Sequence, residues 1–223
     1  MAPTHSTEVV ESISPQGRET LLDLAVASIR HGLDGGGPLP IDSSAYCAEL
    51  QARRACFVTL NRHHALRGCI GHLEAFQPLV SDVVESARSA AFGDPRFPPL
   101  SEPELGDLEI HISVLTPSQE MAFASEQDLI AQLHSGVDGL ILVEGGRRGT
   151  FLPSVWEQLP RPDLFIRHLK QKAGLPPDHW SEQIRIFRYR TESSSVSLPR
   201  ERFWDIPVPK IDSPTRQPLL PRP

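Results

Sequence analysis

Proline placement is the tightest constraint this chain sets on its own folding. The ring removes a backbone donor and fixes φ, so helices open at proline and central strands exclude it. Of the 22 prolines in 223 residues, seven fall after position 193: Pro199, Pro207, Pro209, Pro214, Pro218, Pro221 and Pro223. That density predicts a proline-rich C-terminal arm over residues 193–223. Phe203, Trp204 and Ile206 are its docking candidates, and Pro218-Leu-Leu-Pro221 has polyproline-ligand spacing. Residues 1–17 hold no basic start followed by an apolar stretch and a small-residue cleavage site, so they read as a flexible N-terminus. A cytoplasmic chain is expected, with one domain over residues 18–192.

Composition narrows the class. Apolar residues make up 39% and charged residues 22%, and no apolar run approaches the length of a membrane span. The formal charge of −6 argues against a protein that coats nucleic acid along its whole surface. Cys47, Cys56 and Cys69 are an odd number without C-x-x-C spacing, which excludes a four-cysteine zinc site and fits a reducing compartment.

Within the domain, Leu21, Leu22, Ala25 and Ile29 recur at helical spacing and predict a helix over 18–31. Two strands follow over 56–60 and 65–70, joined as a hairpin by Asn61-Arg-His-His64. A helix opening at Pro78 carries the stripe Leu79, Val80, Val83, Val84, Ala87 and Ala91, and stops at Gly93-Asp94-Pro95. From Leu108 to Val114 apolar and polar residues alternate, leaving Glu109, His111 and Ser113 on one strand face. Ser125 and Asp128 form a capping pair for a short helix. A strand over 139–143, a glycine turn, a helix from Pro162 to Lys172 and a strand over 183–191 complete the order. Hairpins mixed with helices, without a βαβ repeat or dinucleotide fingerprint, indicate an α+β fold with mixed or antiparallel sheets and packed helices.

Leu66-Arg-Gly-Cys-Ile-Gly71 carries the candidate chemistry. Glycine serves where a ligand or a second backbone approaches closely. In a regular strand Arg67 and Cys69 point the same way, so the guanidinium would favour a reactive thiolate. The competing reading is a small buried Cys69 with Arg67 in a structural ion pair. Cys69, His72 and His111 make an incomplete metal triad, but strand parity puts Cys69 and His72 on opposite faces, so no metal is assigned. Asp94 and Arg96 sit in a proline-stiffened loop, either in the site or closing the preceding helix. Nine basic against five acidic residues between 145 and 192 provide a surface for RNA or nucleotide, or simply a solvated face.

Five ordered blocks resemble one family. Leu66-Arg-Gly-Cys-Ile-Gly71, Ala90-Ala-Phe-Gly-Asp-Pro-Arg-Phe-Pro-Pro-Leu100, Ile112-Ser-Val-Leu-Thr-Pro117, Asp138-Gly-Leu-Ile-Leu142 and Gly149-Thr-Phe-Leu-Pro-Ser-Val-Trp-Glu-Gln158 are similar to the AMMECR-domain family, whose bacterial members are called AmmeMemoRadiSam system protein A. The resemblance covers residues 20–192. It implies a larger and a smaller subdomain around a cleft lined by the Arg-Gly-Cys segment, with Memo-type and radical-SAM proteins as partners. Position by position it implies a site of Arg67, Cys69, Asp94, Arg96 and Ser113. At His111 the chain departs from relatives that carry an acid there, a change that keeps proton transfer but alters the charge.

Three functions compete. The first is an enzyme with Cys69 as nucleophile, Arg67 and Arg96 holding an anion, and Asp94 or His111 moving protons. The second is a non-catalytic partner or scaffold for the Memo-type and radical-SAM proteins, and the third is salt-sensitive RNA or nucleotide binding. None of them names a cofactor, and no membrane is involved in any.

Overall fold

The structure, a computed structural model, describes residues 12–197 and 199–206. The described chain divides into two compact units, Ser113–Ser193 and Ile13–Ile112 with the described residues from Ser194 to Ile206. Both contain helices and antiparallel strands, an α+β fold.

The unit containing Ile13–Ile112 opens with α1, Pro15–Leu33. Its first free backbone donors are met by the Ser14 hydroxyl, which accepts from Gly17 N–H at 3.0 Å. Pro15 occupies a first-turn position, so the helix starts three residues before the periodicity predicts. A short α2, Ala48–Gln51, leads to the hairpin β1, Cys56–Arg62, and β2, Ala65–Gly71. His63 and His64 turn the chain with φ of 51° and 61°, the left-handed pair a two-residue hairpin demands. Helix α3, Leu79–Phe92, follows, with Pro78 just outside it.

Strand β3, Leu108–Leu115, alternates as its sequence predicts: Leu108, Ile110, Ile112 and Val114 are buried. It lies third in a sheet of order β2-β1-β3-β8, in which β8 is Thr191–Ser197. The core joins the buried stripe of α1 (Leu21, Leu24, Ala25, Ile29) and that of α3 (Val83, Ala87) to Val58, Leu60, Ile110 and Ile112 on the strands. Ser28 Oγ, fully buried in α1, donates to the Val84 carbonyl at 2.7 Å and so fixes the two helices in register.

In the other unit the sheet order is β4-β7-β5-β6, with β4 Gln119–Glu120, β5 Gly139–Glu144, β6 Arg147–Phe151 and β7 Arg185–Tyr189. Helix α4, Glu126–Ala131, is capped by Ser125, whose hydroxyl accepts from Asp128 N–H at 3.1 Å. Helix α5, Pro162–Lys172, spans the predicted residues and buries Phe165, Ile166 and Leu169 against Leu140, Leu142 and Ile186. Lys170 is 2% exposed and is neutralised by Glu126 at 2.7 Å, which ties α5 to α4.

The arm expected from residue 193 is ordered over its described part. Strand β8 runs from Thr191 to Ser197 and α6 from Arg200 to Asp205, so the predicted domain boundary at 192 falls inside a strand. Phe203 is 1% exposed, and Arg30 donates to the Trp204 carbonyl at 2.7 Å. Pro199 sits where a helix can begin, and the serine-rich strand shows no apolar alternation that would mark it in the sequence. Residues 1–11 and the Pro218-Leu-Leu-Pro221 segment lie outside the described residues. No described helix is long and apolar enough to cross a membrane.

Candidate functional site

Strand β2 positions the candidate residues by its pairing with β1. Thr59 faces Cys69 and Leu60 faces Gly68, but Asn61 faces Leu66, which leaves Arg67 as an extra, bulged residue. The expected common direction of Arg67 and Cys69 assumed a regular strand, and the bulge removes that assumption. Gly68 lies under α3: a Cβ there would sit 2.1 Å from the Ala90 carbonyl oxygen. This close approach is why glycine precedes the cysteine, and alternation turns Cys69 away from the helix, beside Thr59.

Arg67 is 8% exposed, and its guanidinium is engaged through Nε and Nη2 while Nη1 is buried without a hydrogen-bond partner. Nε donates to Glu104 at 2.7 Å, Nη2 donates to the Pro98 carbonyl at 2.8 Å, and the group lies over the Phe97 ring. Glu104 also accepts from the Ser101 N–H and hydroxyl at 2.9 and 2.8 Å. The Arg67 guanidinium, aided by the Ser101 donors, holds the Glu104 carboxyl at about 2, below its ordinary 4.5.

Asp94 is the second hub, 4% exposed. It accepts from Arg96 Nε at 2.9 Å and Nη2 at 2.7 Å, and from the Cys69 backbone N–H at 2.9 Å. The Arg96 contacts first, then the backbone donors, push its carboxyl well below the usual carboxylate range. A carboxylate held ionised with this many donors is a clamp and a poor proton acceptor. Arg96 Nη2 also donates to the Cys69 carbonyl at 3.2 Å, so the loop grips Cys69 at both backbone polar atoms. Its thiol accepts from Thr59 Oγ1 at 3.2 Å, and the residue is half-buried.

The structure thus brings Arg67, Cys69, Asp94 and Arg96 into one strand-and-loop assembly. His111 has Glu109 Oε1 3.2 Å from Nε2, close enough for attraction but outside hydrogen-bond alignment. Ser113 meets Ser193 Oγ at 3.4 Å in the other unit. His72 is engaged elsewhere, its Nδ1 2.6 Å from Asp82, which is 1% exposed and also accepts from Cys56 N–H. Among the described residues no group of three His, Cys, Asp or Glu side chains is arranged to hold a metal. Cys47 is exposed, while Cys56 is buried, and burial followed by the nearby Asp82 charge pushes its thiol up.

Sequence reasoning missed Glu104 and Thr59. A signal existed for the first, since Ser101 and Glu104 have capping-box spacing and the box is formed. None existed for Thr59, whose place opposite Cys69 depends on hairpin register.

Comparison with known proteins agrees with the motif order. The AMMECR1 family profile matches residues 22–194. A protein of Methanothermobacter thermautotrophicus is 38% identical over 183 residues, covering 79% of this chain and 92% of its own length. One of Methanopyrus kandleri is 38% identical over 191 residues, covering 82% of this chain and 89% of its own length. The crystal structure of an uncharacterised protein from Pyrococcus horikoshii superposes with a TM-score of 0.76 at 34% identity, covering 84% of this chain and 95% of the other.

Proposed function

Because the chain belongs to the AMMECR1 family, with relatives that carry no stated activity, we propose from its own geometry that it acts through the Cys69 thiol, as a nucleophile toward an electrophilic small molecule. One observation carries the reading: the backbone N–H and carbonyl of Cys69 are both held by side chains of the Asp94–Arg96 loop while the residue stays half-buried. Pre-positioning a nucleophile removes part of the orientational cost of reaction. Arg67 and Asp94 then act as positioning residues, since their charged groups are bound to Glu104 and Arg96. Arg96 is paired with Asp94 and bonded to the Cys69 carbonyl, but its half-exposed side chain makes it the site cation that an anionic substrate would meet from solvent.

The test is covalent capture with a simple acyl donor, S-phenyl thioacetate. The Cys69 sulfur forms a bond to the carbonyl carbon, the carbon–sulfur bond to thiophenol breaks, and the proton leaves with thiophenol. Mass spectrometry of the folded protein is expected to find a single acetyl group on Cys69, absent in Cys69→Ser and retained in Cys47→Ser. Acetylation of Cys47 at an equal or greater rate would overturn the reading.

A further inference from the structure

A cavity of about 510 Å³ lies within the Ser113–Ser193 unit, and the Cys69 reading makes no use of it. Its lining carries the hydroxyls of Ser113 in β3, Thr191 and Ser193 at the start of β8, Ser135 and Ser154. Leu152, Pro153, Trp156 and Pro160 add apolar surface to the same cavity.

This apolar surface is rigid. Trp156 is 3% exposed, its indole N–H donates to the Asp138 carbonyl at 2.7 Å, and its ring stacks on Phe165 with centroids 3.8 Å apart. Such a wall is set before a ligand arrives, which lowers the ordering cost of binding. Ser113 and Ser193 approach each other at 3.4 Å, a long contact that a ligand hydroxyl can replace without loss.

Charge selects the ligand. Glu157 is the single charged lining residue, and no lysine, arginine or histidine is among the described lining. A phosphate or carboxylate entering here would meet a like charge with no cation beside it. A hydroxyl offers one donor and two acceptor lone pairs, and a carboxylate accepts from two neighbouring hydroxyls at once. A lining that combines apolar surface with several hydroxyls suits a ring with C–H on its faces and O–H on its rim, and the volume lies within the range of small-molecule sites.

We propose that this cavity binds a neutral polyhydroxylated molecule of sugar size, held by Ser113, Thr191, Ser193 and Glu157 against the Pro153 and Trp156 wall. It goes beyond the Cys69 reading and stands or falls independently of it. The test follows the Trp156 indole N–H by nuclear magnetic resonance in the full chain, titrated with D-glucose, D-ribose or myo-inositol, and in parallel with glucose 6-phosphate and spermidine.

At least one neutral polyol is expected to shift the Trp156 signal saturably, with glucose 6-phosphate binding about tenfold more weakly than glucose where glucose is the binder. Glu157→Gln is expected to weaken the polyol and narrow that discrimination. Ser193→Val, on the exposed rim, is expected to abolish the shift with the spectrum otherwise unchanged. Silence from all three polyols overturns the proposal. So does equal or tighter binding of the phosphate ester, or a response to spermidine alone, which would mark the cavity as a cation site.

Discussion

Gly68→Ala is expected to destabilise the protein by about 4 kcal/mol or more, although it adds one methyl group. The added Cβ would stand 2.1 Å from the Ala90 carbonyl oxygen and 3.1 Å from the carbonyl carbon, both in the backbone of α3. A flexible side chain can swing aside, but a helix backbone packed through Ala87, Ala90 and Ala91, all within 1% of full burial, moves only by unseating the core. Gly106→Ala serves as the control, because its nearest atom would be Arg200 Cβ at 3.9 Å. Urea unfolding of the two variants should differ by nearly the whole effect; equal midpoints would mean that α3 does not lie on Gly68.

Arg67→Ala carries the other large effect, about 3 to 4 kcal/mol, because it strips Glu104 of its main partner and leaves the Pro98 carbonyl without its donor. Arg67→Lys should recover little, since an ammonium cannot reproduce the planar fork that reaches Glu104 and Pro98 together. The same pair predicts acid sensitivity with a definite sign. Glu104 titrates at about 2 in the folded state against 4.5 ordinarily, so the unfolded chain takes up the proton first. The stabilisation is fully present above 4.5 and is lost as the pH falls toward about 2. Urea midpoints measured across that interval should fall more steeply for the wild type than for Glu104→Gln; parallel slopes would remove Glu104 from the account.

These residues also mark how far the chain could be read before its structure. The β1–β2 hairpin and α5 were legible because each has a local signal: a short turn between apolar runs, or proline at a helix start with glycine after its end. The α+β class followed from their order. Strand β8 was not legible, since Thr191-Glu-Ser-Ser-Ser-Val-Ser197 has one apolar side chain and lies at a sheet edge, held by backbone pairing that any polar sequence can supply.

The candidate site was half legible for a related reason. Motif order grouped Arg67, Cys69, Asp94 and Arg96 with Ser113, and strand alternation added His111; the first four share one strand-and-loop assembly, where their contacts depend on a bulge and on a distant glutamate. A one-residue shift at Leu60/Asn61 sends Arg67 to Glu104, 37 positions on, and leaves Arg96, 27 positions from Cys69, to hold the cysteine carbonyl. Non-local register of this kind has no trace in a short window of sequence. Charged residues drawn together by a motif therefore turned out to bind one another before they could bind anything else.

The account rests on Cys69 being the thiol that the fold presents for chemistry, and site-resolved alkylation measures that directly. The folded protein is treated with limiting iodoacetamide, and the rates at Cys47, Cys56 and Cys69 are read separately by peptide mass spectrometry. Cys69 is expected to react about tenfold faster than the exposed Cys47, Cys56 to remain protected, and the ordering to vanish in denaturant. Labelling of Cys69 no faster than Cys47 in the folded protein would contradict the account.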